Sequence, residues 1–274
     1  MEIRSIDEKE ITLLEVLVKT SYQTQVTHPS NKELDRPVGF GSGFISTHLD
    51  KIYFVTVDHV IHPEDYETGT EVRNWIDYTL SIFNNVNPAD YFLSTIITPL
   101  GGFYYLNRFD LNKPEEAYEL VDIAVCLMKP INFKYPFLTD EVIFTGEKIP
   151  AGEEKWTIKS ETFVKPSTDE YYLVYGKVNT KLDGIQLKSE PTLKENLKFV
   201  KKSGDYFLFN TESKITNIND WRGLSGSPVI STKGECVGVF CSGNEDSHAV
   251  WVMPIDKVKM LMEIIIQQEK LEKK

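Results

Sequence analysis

Short runs of β-branched and aromatic residues, cut at close intervals by Gly, Pro and Asn, leave this chain little room to be anything but β-rich. Strand-like runs fall at residues 38–46, 51–56, 78–83, 91–97, 103–105 and 120–128. No amphipathic stretch of helical length separates them. A link at 130–136 precedes a second set at 141–144, 155–158, 171–175, 184–187, 206–209, 229–231, 236–242 and 250–253. Residues 192–200 read equally as a short helix or a loop. No βαβ alternation is present, so an all-β barrel or sandwich is expected. Helices belong at the ends. Ser5-Ile6-Asp7-Glu8 has the form of a capping box and predicts a helix over 5–15, with a first strand over 16–26. Val258, Leu261, Met262 and Ile265 share one face of a second helix over 256–268.

The 274 residues suffice for one large domain or two packed lobes, and a hydrophobic fraction of 41% supports a sizeable core. A formal net charge of −11 provides no footprint for phosphate backbones, so nucleic acid is not an expected partner. No apolar run is long enough to span a bilayer, and Met1 to Thr24 lacks the continuous apolar centre of a secretion signal. Three cysteines, Cys126, Cys236 and Cys241, make no disulfide scaffold. Cys236 and Cys241 share one strand, roughly 16 Å apart in extended chain, which is too far to bridge. The expected compartment is the cytoplasm. Neither a cofactor nor a metal is expected.

Three polar residues stand in contexts that call for chemistry. In Gly223-Leu224-Ser225-Gly226-Ser227-Pro228, glycines flank a serine before an apolar strand, a bend that exposes a hydroxyl and turns N–H groups toward an oxyanion. Of five histidines, His28, His48 and His62 sit in polar or breaker-rich surroundings and read as surface residues, and His248 lies in a polar loop. Only His59 leaves an apolar strand directly into a bend. Asp122 interrupts Leu-Val-Asp-Ile-Ala-Val, where an unpaired carboxylate would be costly. Asp58, as a strand neighbour of His59, would point the opposite way.

Gly41-Ser42-Gly43-Phe44, Thr56-Val57-Asp58-His59-Val60, Asp122-Ile123-Ala124-Val125 and Gly223-Leu224-Ser225-Gly226-Ser227-Pro228 resemble, in order, the signature blocks of trypsin-like serine peptidases. The similarity is greatest to the bacterial branch with HtrA-like and glutamyl endopeptidases, and it runs from about residue 38 to 255. The order His, Asp, Ser differs from that of α/β-hydrolases and subtilisins. The resemblance implies two six-stranded antiparallel β-barrels, one within residues 1–130 carrying His59 and Asp122, the other within 131–274 carrying Ser225. It implies that Ser225 is the nucleophile, His59 the base and Asp122 its orienter. The N–H groups of Gly223 and Ser225 would form the oxyanion hole. Cys241, Ser242 and Gly243 would bind an extended peptide, with residues 217–222 and 242–247 lining the pocket for the side chain before the cleaved bond. Asp220 there would favour a basic side chain, and Arg222 or His248 an acidic one.

Two departures matter. Leu224 replaces a polar residue, often Asp, that pairs with a freshly cut N-terminus in zymogen-activated relatives, so activation by N-terminal clipping is not expected. Insertions at 64–115 and 176–220 lengthen the chain around the cleft. The expectation is a regulated intracellular serine endopeptidase acting on protein or peptide, with room for a regulatory protein partner. The alternative is a catalytically latent peptide-binding or scaffolding module.

Overall fold

The structure, a computed structural model, describes residues 11–28, 37–63, 78–85, 95–108, 119–129, 137–183 and 186–272. The Ser5–Glu8 motif and the 130–136 link lie outside these residues, as does much of the first insertion.

Of the helix expected over 5–15, only residues 11–15 are described, and the helix seen there runs on to Thr20. Helix α1 is Leu13–Thr20, and its box is Thr12 with Glu15: the Glu15 N–H donates to Thr12 Oγ1 at 3.1 Å, and the Thr12 N–H donates to Glu15 Oε2 at 3.2 Å. Residues 16–20 are thus helical, and strand β1 starts only at Ser21 (Ser21–Thr27). Leu17 and Val18 are almost wholly buried, which ties α1 into the core.

The first lobe adds β2 (Pro37–His48), β3 (Lys51–Thr56), helix α2 (Asp58–Ile61), β4 (Thr79–Asn85), β5 (Thr95–Leu100), β6 (Phe103–Arg108) and β7 (Glu119–Leu127). These form one sheet in the order β5-β4-β1-β2-β3-β7-β6. A small hairpin, β8 (Val142–Phe144) with β9 (Glu147–Ile149), follows, and β10 (Ile158–Lys159) then joins β2 in parallel. It can do so because β1 pairs with β2 only as far as Phe44, leaving Ser46 and Thr47 open. The first lobe therefore carries more than the six strands expected.

The second lobe is a closed six-stranded barrel of β11 (Tyr171–Asp183), β12 (Gln186–Ser203), β13 (Tyr206–Ile215), β14 (Pro228–Ser231), β15 (Cys236–Gly243) and β16 (Ser247–Pro254). Residues 192–200 are strand, neither helix nor loop, because β12 is paired on both sides by β11 and β13. The second insertion is thus taken up largely in strand length. Period-two alternation sorts the barrel's side chains. Tyr172, Val174 and Phe240 face its interior, while Leu173, Tyr175, Val239 and Cys241 join the core shared with the first lobe.

Helix α3 (Ile255–Glu272) closes the chain against β7 and β15, burying the expected Val258, Leu261, Met262 and Ile265. Lys257 donates to Asp205 at 3.0 Å, and Arg108 of the first lobe reaches the same carboxylate. Because α3 packs on the strand that carries Asp122, its loss would loosen the site from behind. Leu261→Ala should cost about 2–5 kcal/mol in a urea melt, as expected for a 1%-exposed leucine.

Candidate active site

Four segments converge where the lobes meet. Strand β3 ends at Thr56, and the chain enters one helical turn, α2, rather than an open bend. Asp122 sits where β7 is irregular: Tyr105 pairs with Ala124 but Leu106 with Val121, so Asp122 and Ile123 form a bulge against β6. Strand β3 has also ended by then, since its last partner on β7 is Ala124. A bulge re-aims a side chain. Here it lets the Asp122 carboxylate meet α2. The His59 backbone N–H donates to Asp122 Oδ1 at 3.0 Å, and His59 Nδ1 lies 2.8 Å from Oδ2.

The electrostatics follow from that contact. Burial works to raise the Asp122 carboxyl, but the His59 charge, both His59 hydrogen bonds and the Cys241 thiol hold it below its usual range. Burial likewise opposes charge on His59, yet the Asp122 carboxylate, with a smaller contribution from Asp58, raises the ring above its ordinary 6.5. The His59 share of stability is fully present below 6.5 and is lost as pH rises through the raised value. The Asp122 share is present above its ordinary 3.8 and is lost as pH falls through the lowered one. The pair is strongest between those two limits.

Asp58 opens α2 rather than standing on a strand, and its Oδ1 lies 2.8 Å from His62 Nδ1, one turn along. His62 and His48, however, are buried and not surface residues. Each ring has found a polar partner inside: Asp58 for His62, and the Ser160 hydroxyl, 2.8 Å away, for His48. His28 meets the edge of Tyr78, and the exposed His248 places Nδ1 3.0 Å from the Thr211 carbonyl.

The serine loop is pinned from all sides. Gly223 and Gly226 take φ of +108° and +93°, which favour glycine. Leu224 is fully buried in the second barrel's core, where it packs against Gly176, so an apolar anchor stands in place of an ion pair. Ser42 of β2, whose part in the site the sequence reading missed, spans the seam. Its N–H donates to the Ser225 carbonyl at 2.8 Å and its Oγ donates to the Gly223 carbonyl at 2.6 Å. Its own carbonyl accepts from Thr56 Oγ1 at 2.8 Å. The signal was present in Gly41-Ser42-Gly43, since the flanking glycines mark a strand that another backbone approaches closely. The Gly223 and Ser225 N–H groups meet no acceptor among the described residues.

Cys241 joins the parts. Its thiol faces Asp122, and burial together with that carboxylate pushes the thiol well up. Its carbonyl accepts the Ser225 hydroxyl at 2.8 Å. Beyond Val239, β15 no longer pairs with β14, so Ser242 and Gly243 present a strand edge beside Ser225.

The three charged side chains weighed for the neighbouring pocket are dispersed. Arg222 lines a pocket of about 220 Å³ with Phe40 and Asn179, and Asp220 lines another of about 310 Å³ with Lys194. What backs Gly243 is apolar. A Cβ there would stand 2.9 Å from Ile215 Cδ1 and 3.7 Å from Ile218 Cδ1. Among the described residues, no cluster of His, Cys, Asp and Glu could hold a metal ion.

No protein-family model matches the chain, and no curated protein matches it. Among solved structures it is similar to a serine endoprotease from Yersinia pestis, with 15% identity and a TM-score of 0.48 over 95% of this chain and 68% of that one. It is also similar to Deg5, with 15% identity and a TM-score of 0.49 over 93% and 94% of the two chains.

Two outcomes are expected. By NMR, the His59 ring should titrate above 6.5, and Asp122→Asn should lower it markedly because burial is then opposed only by the smaller Asp58 contribution. Gly226→Ala should destabilise the fold by more than about 1 kcal/mol in denaturant melts, since φ is positive and the new Cβ would overlap the Ser42 carbonyl oxygen.

Proposed function

We propose that the chain is a serine endopeptidase that cleaves peptide bonds through His59, Asp122 and Ser225. The observation that carries this reading is the pair of half-buried His59 and buried Asp122, set against Cys241, whose carbonyl holds the Ser225 hydroxyl. A structural histidine needs no second polar group arranged this way across a seam.

In this reading an extended peptide pairs with the edge at Ser242 and Gly243. The Ser225 hydroxyl leaves the Cys241 carbonyl and turns to His59 Nε2. Ser225 Oγ attacks the carbonyl carbon, a C–O bond forms, and the hydroxyl proton passes to His59. Asp122 supports the resulting imidazolium through Nδ1. The carbonyl oxygen gathers charge against the Gly223 and Ser225 N–H groups; losing one such donor typically costs ~10²–10³ in turnover. The tetrahedral adduct then breaks its C–N bond, and His59 returns the proton to the leaving amine. Water, deprotonated by His59, hydrolyses the acyl-enzyme. Ile215 behind Gly243 favours a small, uncharged side chain before the cleaved bond.

Residues 1–130 would supply the base and its orienter and 131–274 the nucleophile. The three free, buried thiols are compatible with a reducing compartment, and we propose a cytoplasmic, bacterial-type enzyme. Regulation through a protein partner accords with a nucleophile parked on a carbonyl in the unliganded chain. That same parking favours the second reading, a latent peptide-binding module.

Fluorophosphonate labelling separates the two. Ser225 should label in the native chain, with the signal lost in Ser225→Ala and reduced by orders of magnitude in His59→Ala. A folded native chain that does not label, even with peptide ligands present, would favour the latent module. Activity against a labelling-competent peptide should fall as pH drops through a value above 6.5, because only the neutral imidazole accepts the serine proton. A profile flat down to pH 5 would remove His59 as the base.

A further inference from the structure

Behind the serine loop the seam holds a narrow, partly open cavity of mixed polar and apolar lining that peptide cleavage does not use. Its volume is about 20 Å³, room for one water or one small ion. Lys155 lines it with only 7% of its surface exposed, and no carboxylate or hydrogen-bond acceptor contacts its Nζ among the described residues. The Nζ rests 3.6 Å from the centroid of the Tyr22 ring, whose face supports a cation on one side only. Asp140, the carboxylate that lines the same cavity, is already engaged by Lys177 and by the Thr139 hydroxyl at 2.9 Å. Two lysines therefore face one carboxylate, and an ammonium at Lys155 would have no anion of its own. Burial first, and the Lys177 charge next, press Lys155 toward the neutral amine, which Asp140 only partly offsets.

We propose that this cavity binds a single monovalent anion of halide size, with Lys155 as its principal ligand. The anion supplies the charge that Lys155 lacks and lets the amine remain an ammonium. The cavity's narrow space, about 20 Å³, favours a small ion over sulfate or phosphate. Ser42 lines the same cavity while holding the Gly223 and Ser225 carbonyls, and Gly176 lines it while packing on Leu224. Occupancy therefore braces the oxyanion loop from behind. This coupling rests on the peptidase reading, whereas the binding site itself does not.

The test is bromide-soaked crystals of the wild-type chain, read by anomalous diffraction, beside thermal melts in potassium chloride and in potassium gluconate at equal ionic strength. The expected results are a bromide peak within hydrogen-bonding reach of Lys155 Nζ and a Tm about 2–4 °C higher in saturating chloride. Lys155→Met should abolish the difference between the two salts. A cavity without a bromide peak overturns the proposal, and so does a chloride effect that survives in Lys155→Met. Should that variant fail to fold, the wild-type crystal decides alone. Neither readout needs catalysis, so a chain that does not label at Ser225 refutes the peptidase and leaves this result standing. If Ser225 does label, its rate should be several-fold higher in chloride than in gluconate.

Discussion

Everything at the seam depends on one residue of the first lobe gripping two carbonyls of the second. Ser42 donates its backbone N–H to Ser225 and its hydroxyl to Gly223, and thereby sets the height and tilt of the loop between them. Hydrogen bonds of this kind add only about 1 kcal/mol each, but leaving such buried groups unmade would cost more. The grip also demands that two backbones nearly touch. Gly41 lies where a Cβ would stand 3.4 Å from the Ser225 carbonyl oxygen, and Gly226 where one would overlap the Ser42 carbonyl. The short glycine-flanked motifs on the two lobes are thus two halves of a single contact.

That contact explains how a charged pair survives in the interior. Asp122 is only 4% exposed, a position that would expel a lone carboxylate. It persists because a bulge on β7 aims it at two donors of His59, while Cys241 approaches from the other lobe. Cys241 could be presented this way only if β15 alternates correctly, with Phe240 turned into the barrel and Cys241 toward the seam. A one-residue slip in the barrel would exchange them and expose the carboxylate. Leu224 fixes the loop from the barrel side by apolar burial, a force that needs no newly formed terminus.

How far the sequence shows all this depends on whether a feature is local. Most of the described strand runs, the apolar face of α3 and the placement of Asp122 inside an apolar strand are local and read correctly. Of 155–158, by contrast, only Ile158 is strand, and 16–20 are helical. The His48 and His62 rings misled because their burial is decided by distant or helical partners, Ser160 and Asp58, that no polar neighbourhood announces. Residues 192–200 were ambiguous because a strand with lysines on one side shows its character only when β11 and β13 flank it. At the N-terminus two capping-box patterns compete seven residues apart, and among the described residues the later one caps a helix. The grip of Ser42 was hidden for the same reason: its partners lie more than 180 residues away.

The parked serine follows from this geometry as well. The Cys241 carbonyl accepts the Ser225 hydroxyl, and it stands at the start of the open strand edge. A peptide laid along that edge brings its own backbone N–H groups to the same row of carbonyls. When an amide takes the Cys241 oxygen, the hydroxyl must find another acceptor. In the proposed peptidase reading that acceptor is the imidazole that Asp122 orients. If the chain is the peptidase proposed above, peptide docking and release of Ser225 are one event, and a ligand that covers the edge without offering an N–H to Cys241 would leave Ser225 parked.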